Sequence, residues 1–446
     1  MTAVTANAAA WNAPSDTDIR GILIERIDVE HRGVGIVVGV IDRHGRRIVA
    51  YGAAALDDSR PLDGDTVFEI GSITKVFTAL ALAEMVERGE VALDDPVVKY
   101  LPPGVTMPER DGRQITLAHL ATHTSGLPRE PGNLSPGDRP NALADYSVDQ
   151  LHQFLSGYEL RRDIGASHIY SNLGGGLLGH VLALRAGVDY ETLVRERITG
   201  PLGMTSTGMT PAPELQSRMA AGHDRNLRPV ANIELPTLAG AGALRSSASD
   251  LLTFLAAELG YVETPLKAAL SGQLKLRRAT ETQDVQALGW VISPSEAGEV
   301  VWHTGLTDGF RCFMGFERER RAGAVVLTNT ASTRNDDIGV HLLSGARLSP
   351  PPPERQAIPL GASVLERYVG RYQFSPTADL VVIRRGERIF VKLPGRRAIE
   401  MFPETPTAFF LKVWDSQLTF NVDRQGRVTG LVTHQNGRDR PAARVA

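Results

Sequence analysis

The chain has 446 residues, 42% of them hydrophobic and 22% charged, with a formal net charge of −3 at pH 7. This length exceeds one ordinary domain, so the composition predicts a soluble globular protein with two domains. The small negative charge, without a basic run, argues against nucleic acid as a partner. No segment approaches the ~20 apolar residues that span a membrane, so we expect no membrane span.

The N-terminal segment 1–17 reads as a loosely attached tail. It lacks the basic region and the apolar segment of a secretion signal, which favours a cytoplasmic location, or a periplasmic or secreted one if the N-terminus was trimmed. A helix is predicted over 17–31, and two strands, 35–41 and 47–52, about a glycine-containing turn. The single cysteine, Cys312, excludes internal disulfides.

The first chemical motif is Ser72 followed three residues later by Lys75, at the start of an apolar helix. A three-residue offset places both side chains on one helical face, where the amine can activate the hydroxyl as a nucleophile. A lone Ser-x-x-Lys also occurs on solvated helices. In this chain, however, lysine is scarce, with six against 42 arginines, and Lys75 alone has a serine three residues before it.

Two histidines, His119 and His123, are spaced as two metal ligands on a helical face would be. No glutamate follows the first one and no third ligand is evident, so we expect a structural His123 and no metal or organic cofactor. Residues 129–145 are rich in Pro, Gly and Asn and are predicted to form a loop that rims the site.

The second motif is Tyr170 with Asn172 two residues later. A phenol placed against a Ser-Lys pair can pass a proton between the nucleophile and the leaving group. The Asn172 amide can donate a hydrogen bond to a substrate carbonyl. Taken alone, this motif is also compatible with an interior tyrosine.

The third motif is His303-Thr304-Gly305, followed by Leu306, on a predicted strand. Glycine at a strand edge lets a substrate backbone approach, and the N–H groups there can face an oxyanion. We expect His303 to face the cluster of Ser72, Lys75 and Tyr170, although an isolated strand histidine is more often structural.

With all three motifs in this order, the sequence resembles the serine hydrolases related to class C β-lactamases, D-alanyl-D-alanine carboxypeptidases, D-aminopeptidases and family VIII esterases. The resemblance covers residues 20–345. It implies a β-lactamase-like α/β (α+β) fold, with an antiparallel sheet flanked by helices and a helical subdomain. Supporting stretches are Leu93–Pro96, His123–Leu127, Gly200–Met204 and Ala241–Leu251.

The resemblance also implies a role for each motif residue. Ser72 is the acylated nucleophile, while Lys75 and Tyr170 share general-base and proton-relay work, and the sequence leaves open which of them takes the serine proton. The implied catalytic set is Ser72, Lys75, Tyr170 and His303. The implied substrate-binding set is Asn172, Thr304, Gly305 and Leu306, with the backbone N–H groups of Ser72 and Leu306 forming the oxyanion hole.

His303 departs from the pattern of class C β-lactamases, which usually carry lysine at this position. Histidine is mostly uncharged at neutral pH, so the fixed cation that would meet a β-lactam carboxylate is weakened. We therefore expect poor β-lactamase activity. Arg311 is our hypothesis for a replacement cation.

Beyond a predicted helix at 336–348, a run of prolines indicates a stiff linker. The remaining residues read as about eight short alternating strands, which favours a small antiparallel barrel. It resembles the lipocalin-like domain appended to some of these hydrolases. The predicted domains are a tail (1–17), a β-lactamase-like domain (18–348), a linker (349–359) and a barrel (360–446).

Three functions remain open from the sequence. The first is hydrolysis, through an acyl-enzyme, of a D-amino-acid peptide or amide, a β-lactam or a small ester. The second is an acyl transferase or cyclising thioesterase that uses the same site. The third is a penicillin-binding sensor that does not turn over. The predicted partner is a small-molecule or peptide substrate, and assembly into a homo-oligomer stays open.

Overall fold

The computed structural model describes residues 13–134, 143–210, 213–296, 298–332, 335–350, 355–375, 378–392, 398–411, 416–435 and 438–445. Most of the predicted N-terminal tail and the centre of the predicted linker lie outside these residues. The chain divides into two compact units, Met1–Ser349 and Pro350–Ala446.

An antiparallel sheet forms the framework of the first unit. Its strands and those of the small two-stranded sheets are β1 (Gly35–Asp42), β2 (Gly45–Ala55), β3 (Asp58–Pro61), β4 (Val67–Glu69), β5 (Glu109–Arg110), β6 (Arg113–Gln114), β7 (Gly222–His223), β8 (Pro229–Val230), β9 (Arg245–Ser247), β10 (Arg278–Ala279), β11 (Val285–Gln286), β12 (Val291–Ser295), β13 (Gly298–Leu306), β14 (Arg311–Glu317) and β15 (Ala322–Thr328). In the described chain, the large sheet has nine strands in the order β10-β11-β12-β13-β14-β15-β1-β2-β3. The predicted hairpin is confirmed as β1 and β2.

Helices cover both faces of this sheet. They are α1 (Asp16–Ile24), α2 (Thr74–Glu87), α3 (Leu117–Ala121), α4 (Val148–Gly157), α5 (Asn172–Ala186), α6 (Tyr190–Val194), α7 (Gly200–Leu202), α8 (Pro213–Gln216), α9 (Ala248–Glu258), α10 (Lys267–Gln273) and α11 (Asp337–Ser344). Ile36 and Val38 of β1 pack in a cluster with α1 and α11, whereas Val37 and Ile41 pack in the larger cluster with α2 and α9. The central strand is therefore buried on both faces, which explains its continuous apolar sequence.

Helix α2 lies in the interior. Every side chain from Thr74 to Met85 is buried, as expected for a helix that is apolar on all sides. This burial carries Lys75, in the first turn, away from water. The predicted fold class, a helix-flanked antiparallel sheet with a helical subdomain, is confirmed.

Two predicted helices end earlier than expected. The α-helix predicted over 17–31 ends at Ile24 and continues as a π-helical turn, Glu25–Val29. The helix predicted over 336–348 is α11, which ends at Ser344 because Gly345 adopts a left-handed φ of +73° at its C-cap.

The second unit contains the predicted barrel. A short helix, α12 (Ala362–Glu366), precedes the strands β16 (Gly370–Ser375), β17 (Ala378–Arg385), β18 (Arg388–Lys392), β19 (Ile399–Pro403), β20 (Ala408–Leu411), β21 (Ser416–Val422), β22 (Val428–Gln435) and β23 (Arg438–Arg444). These eight described strands close in sequence order, and β16 pairs with β23. Tyr368, Phe409 and Phe420 pack against one another in the interior. The small antiparallel barrel is thus confirmed.

Among the described residues, no helix combines the length and the apolar character that crossing a membrane requires.

Candidate active site

Ser72 lies in a one-turn 3-10 helix, Gly71–Ile73, that leads directly into α2. Gly71 has a φ of +47°, a left-handed value that favours glycine. A Cβ at Gly71 would lie 2.8 Å from the amide nitrogen of Leu306, and a Cβ at Gly305 would lie 1.9 Å from the carbonyl oxygen of Ile70. The two glycines therefore let the serine turn pack directly against the backbone of β13.

Lys75 lies at the centre of the candidate site. Its Nζ is 3.0 Å from Oγ of Ser72, 2.9 Å from Oδ1 of Asn172 and 2.6 Å from the carbonyl oxygen of Ala241. Three acceptors thus match the three donors of an ammonium group. Burial lowers the pKa of the Lys75 amine below its ordinary value, and the Tyr170 phenol opposes this shift.

The ring of Tyr170 lies between two cationic side chains. Lys75 Nζ is 4.9 Å from the ring centroid and Cζ of Arg129 is 5.0 Å from it, both within the range of cation–π attraction. The imidazole of His123 packs at 4.5 Å between centroids and that of His303 at 6.3 Å. The structure therefore brings Tyr170 to the Ser72-Lys75 pair, as the sequence predicts.

Asn172 is the first residue of α5, and the loop before the helix is held by hydrogen bonds to residues 128–130. The N-cap hydroxyl of Ser171 donates to the carbonyl oxygen of Pro128 at 2.6 Å. The backbone N–H of Asn172 donates to the carbonyl oxygen of Arg129 at 2.9 Å. Nδ2 of Asn172 donates to Oε1 of Glu130 at 2.6 Å. The Asn172 amide is consequently held from both sides, by Lys75 and by Glu130.

His123 packs against the ring of Tyr170 and bonds the backbone beside it. It is 3% exposed, has a φ of +57°, and its Nδ1 accepts the backbone N–H of Ser171 at 3.2 Å. Burial holds the pKa of His123 well below its ordinary value, so the ring is neutral. His119 instead bonds Thr116 through Nδ1 at 2.9 Å, at the N-terminus of α3. The two histidines therefore do not share a helical face.

His303 is buried on β13, and its neighbours on that strand line the site's edge. Nδ1 of His303 donates to the carbonyl oxygen of Thr304 at 2.7 Å. Burial lowers the pKa of His303 to about 3, with the positive charge of Lys75 acting in the same direction. Thr304 is half-buried and Leu306 is 39% exposed. The strand thus brings a neutral imidazole to the cluster.

Arg311 does not present a free cation to the site. It pairs with Leu306 across β13 and β14, but its guanidinium forms an ion pair with Asp336. The more exposed cation beside Tyr170 is Arg129, whose side chain is 48% exposed. This arrangement disfavours the hypothesis that Arg311 supplies the missing positive charge.

Arg129 and Glu130 are site residues that the sequence did not identify by role, whereas His123 has the structural role that the sequence predicts. The signal for Arg129 and Glu130 was position, because they begin the loop 129–145 that the sequence predicts to rim the site. Within the described part of the chain, no group of three or more His, Cys, Asp or Glu residues could hold a metal ion.

Comparisons with known proteins found two matching family models and several relatives. The family model described as "Beta-lactamase" matches residues 22–344, and the model described as "Domain of unknown function (DUF3471)" matches residues 354–442. The D-alanyl-D-alanine-carboxypeptidase/endopeptidase AmpH of Escherichia coli (strain K12) is 34% identical over 318 residues, covering 67% of this chain and 80% of AmpH. Penicillin-binding protein 4* of Bacillus subtilis (strain 168) is 26% identical, covering 89% of this chain and 91% of the relative.

Two solved structures share the fold of the first unit. The class C β-lactamase of Rhodobacter sphaeroides has a TM-score of 0.64 at 28% identity, covering 72% of this chain and 96% of that one. The β-lactamase/D-alanine carboxypeptidase of Yersinia pestis has a TM-score of 0.63 at 27% identity, covering 73% and 97%.

Proposed function

Because this chain belongs to the Beta-lactamase family, whose members are serine hydrolases, we propose that it forms an acyl-enzyme on Ser72 and hydrolyses amide or ester bonds. The substrate classes are D-amino-acid peptides or amides, small esters and β-lactams. The observation that carries the proposal is the 3.0 Å separation between Oγ of Ser72 and the buried amine of Lys75.

That separation suits proton transfer from the serine hydroxyl. A buried amine with a lowered pKa loses its proton nearer to neutral pH than an exposed lysine does, and it can then accept the Oγ proton. Tyr170, whose ring lies 4.9 Å from the same amine, is the alternative acceptor. Either assignment makes Ser72 the nucleophile.

In the proposed reaction, Oγ attacks the substrate carbonyl carbon as its proton passes to Lys75 or Tyr170. The N–H groups of Ser72 and Leu306 stabilise the negative charge on the carbonyl oxygen. The same base returns the proton to the leaving amine or alcohol. Water then attacks the acyl-enzyme, gives up a proton by the same route, and releases the acid and free Ser72.

The neutral state of His303 predicts an order of preference among the substrate classes. With a pKa of about 3, His303 carries no positive charge at neutral pH to meet the carboxylate of a β-lactam. We therefore place D-aminoacyl amides, peptides and esters above β-lactams. The carboxypeptidase/endopeptidase name of the Escherichia coli relative supports a peptide substrate.

The test is a substrate panel of D-alanine p-nitroanilide, a D-alanyl-D-alanine peptide, p-nitrophenyl butyrate and benzylpenicillin, with products identified by mass. We expect the free acid from the first three, slow penicillin turnover, and no activity in Ser72→Ala. Equal rates in wild type and Ser72→Ala would contradict the proposal. An added amine appearing in the product would instead assign an acyl transferase, and a persistent penicillin adduct would assign a sensor.

A further inference from the structure

Glu130 adds a negative charge to the candidate site that the reaction steps above do not use. Its Oε1 accepts Nδ2 of Asn172 at 2.6 Å, and Oδ1 of Asn172 accepts Nζ of Lys75 at 2.9 Å. Because a carboxylate can only accept, Nδ2 of Asn172 must face Glu130, which leaves Oδ1 to face Lys75. The chain of Lys75, Asn172 and Glu130 is therefore fixed in direction.

The second carboxylate oxygen of Glu130 has unused acceptor capacity. Oε2 is buried and has no hydrogen-bond partner among the described residues. Nε of Arg129 lies 4.0 Å from Oε1, too far for a hydrogen bond. A buried carboxylate oxygen without a hydrogen-bond donor is unfavourable. A substrate donor that reaches Oε2 therefore makes the free energy of substrate binding more favourable.

A substrate group can reach this oxygen with a small movement. The Glu130 side chain is 22% exposed, and the terminal torsion of glutamate is broad and soft. The carboxylate also lies one side chain from the Ser72-Lys75 pair, since Asn172 contacts both Lys75 and Glu130. A group bonded close to the scissile carbonyl is therefore within its range.

The charges around Glu130 favour a cationic group. The two imidazoles that pack on Tyr170, those of His123 and His303, are held neutral by burial, and Lys75 is uncharged in the free-base form that accepts the serine proton. An incoming ammonium thus meets a carboxylate, with the exposed Arg129 as the remaining fixed cation nearby.

We propose that Glu130 is a specificity-determining residue that binds the ammonium group of the acyl donor, so that the site prefers D-amino-acid amides and esters with a free α-amino group over their N-acylated forms. This inference rests on the proposed function, because it assumes that acyl transfer to Ser72 takes place. An N-acylated donor offers a neutral N–H in place of the ammonium and loses the charge-assisted hydrogen bond.

The test compares kcat/KM for D-alanine p-nitroanilide and N-acetyl-D-alanine p-nitroanilide in wild type and Glu130→Gln. Glutamine keeps an acceptor for Nδ2 of Asn172 and removes only the charge. We expect wild type to prefer the free amine, and Glu130→Gln to lower kcat/KM for that substrate about 10- to 100-fold while changing the N-acetyl substrate less than about 2-fold. Glu130→Ala, which removes the Asn172 partner as well, should lower both.

Glu87→Gln is the matched control, because it removes one negative charge from the exposed end of α2, away from the site. It should leave both rates unchanged. Equal losses for both substrates in Glu130→Gln, or wild type that favours the N-acetyl form, would overturn the specificity role and leave the acyl-enzyme intact. If wild type hydrolyses neither anilide nor p-nitrophenyl butyrate, the proposed function fails, and this inference fails with it.

Discussion

Gly175 of α5 faces the side chain of Lys75 so closely that a Cβ at this glycine would lie 2.9 Å from Cε of Lys75 and 3.3 Å from its Cδ. A methyl group cannot fit there unless Lys75 moves. Glycine is unfavourable inside a helix relative to alanine, so its presence on α5 has a local reason. It provides the space in which the lysine amine reaches both Ser72 and Asn172.

We expect Gly175→Ala to keep the fold and lower kcat/KM about 10- to 100-fold, because a displacement near 1 Å is enough to impair a positioned catalytic group. Steady-state rates on an ester and an anilide, with circular dichroism as a check on folding, measure this effect. Gly157→Ala is the control, since a Cβ at that helical glycine meets nothing within 4 Å. Unchanged activity in Gly175→Ala would show that the fit around Lys75 is unimportant.

Replacing Lys75 should separate activity from stability. Lys75→Met removes the base and should lower kcat about 10²- to 10⁴-fold. The same change removes a polar group from an environment that is costly for charge, so Tm should stay equal or rise. The control is Lys267→Met, on a side chain that is 73% exposed, which should alter neither quantity. A Lys75→Met protein with near-normal kcat would exclude Lys75 as the base.

The pH profile of kcat/KM should report the Lys75-Tyr170 pair and not His303. With Lys75 as the base, activity requires that amine without its proton, so the rate should rise with pH through its lowered pKa. His303, with a pKa of about 3, is already neutral across pH 5–9. Lys75 also faces the charged groups of Arg129 and Glu130. A substitution at His303 leaves both of these groups in place.

The variant for this profile is His303→Gln, measured from pH 5 to 10 on a non-ionising ester. The acidic limb should stay at the same pH even if the absolute rate falls. Loss of that limb, or its displacement by a full pH unit, would mean that His303 titrates in the working range.

Arg129, and not Arg311, should contribute to binding substrates that carry a carboxylate. Arg129→Gln should raise KM for a D-alanyl-D-alanine peptide about 2- to 5-fold and leave KM for the C-terminal amide of that peptide unchanged. Arg311→Gln should instead lower Tm, because it leaves the carboxylate of Asp336 without its ion-pair partner. A carboxylate preference that disappears in Arg311→Gln alone would restore the hypothesis drawn from the sequence.

Local patterns predicted much of this structure. The three-residue spacing of Ser72 and Lys75 defines one helical face wherever the helix begins, and the alternating barrel strands needed no long-range information. The strand predicted over 35–41 was equally clear, because burial on both faces leaves a continuous apolar run.

Contacts between distant segments were not predictable in this way. Glu130 meets Asn172 because backbone hydrogen bonds hold residues 128–130 against the start of α5, and no periodicity in either segment encodes that pairing. The orientation of Arg311 toward Asp336 likewise depends on the start of α11. The subcellular location, the domain boundaries and the assembly state stay predictions.

The central claim is that Ser72 becomes covalently acylated and is then released. Intact-protein mass after mixing with benzylpenicillin, D-alanine p-nitroanilide or p-nitrophenyl butyrate, followed over time in wild type and Ser72→Ala, tests it most directly. We expect an adduct of the acyl mass on wild type alone, located on Ser72 by peptide mapping, that decays as free acid accumulates. Turnover by Ser72→Ala at the wild-type rate, or an adduct on another residue, would contradict the account.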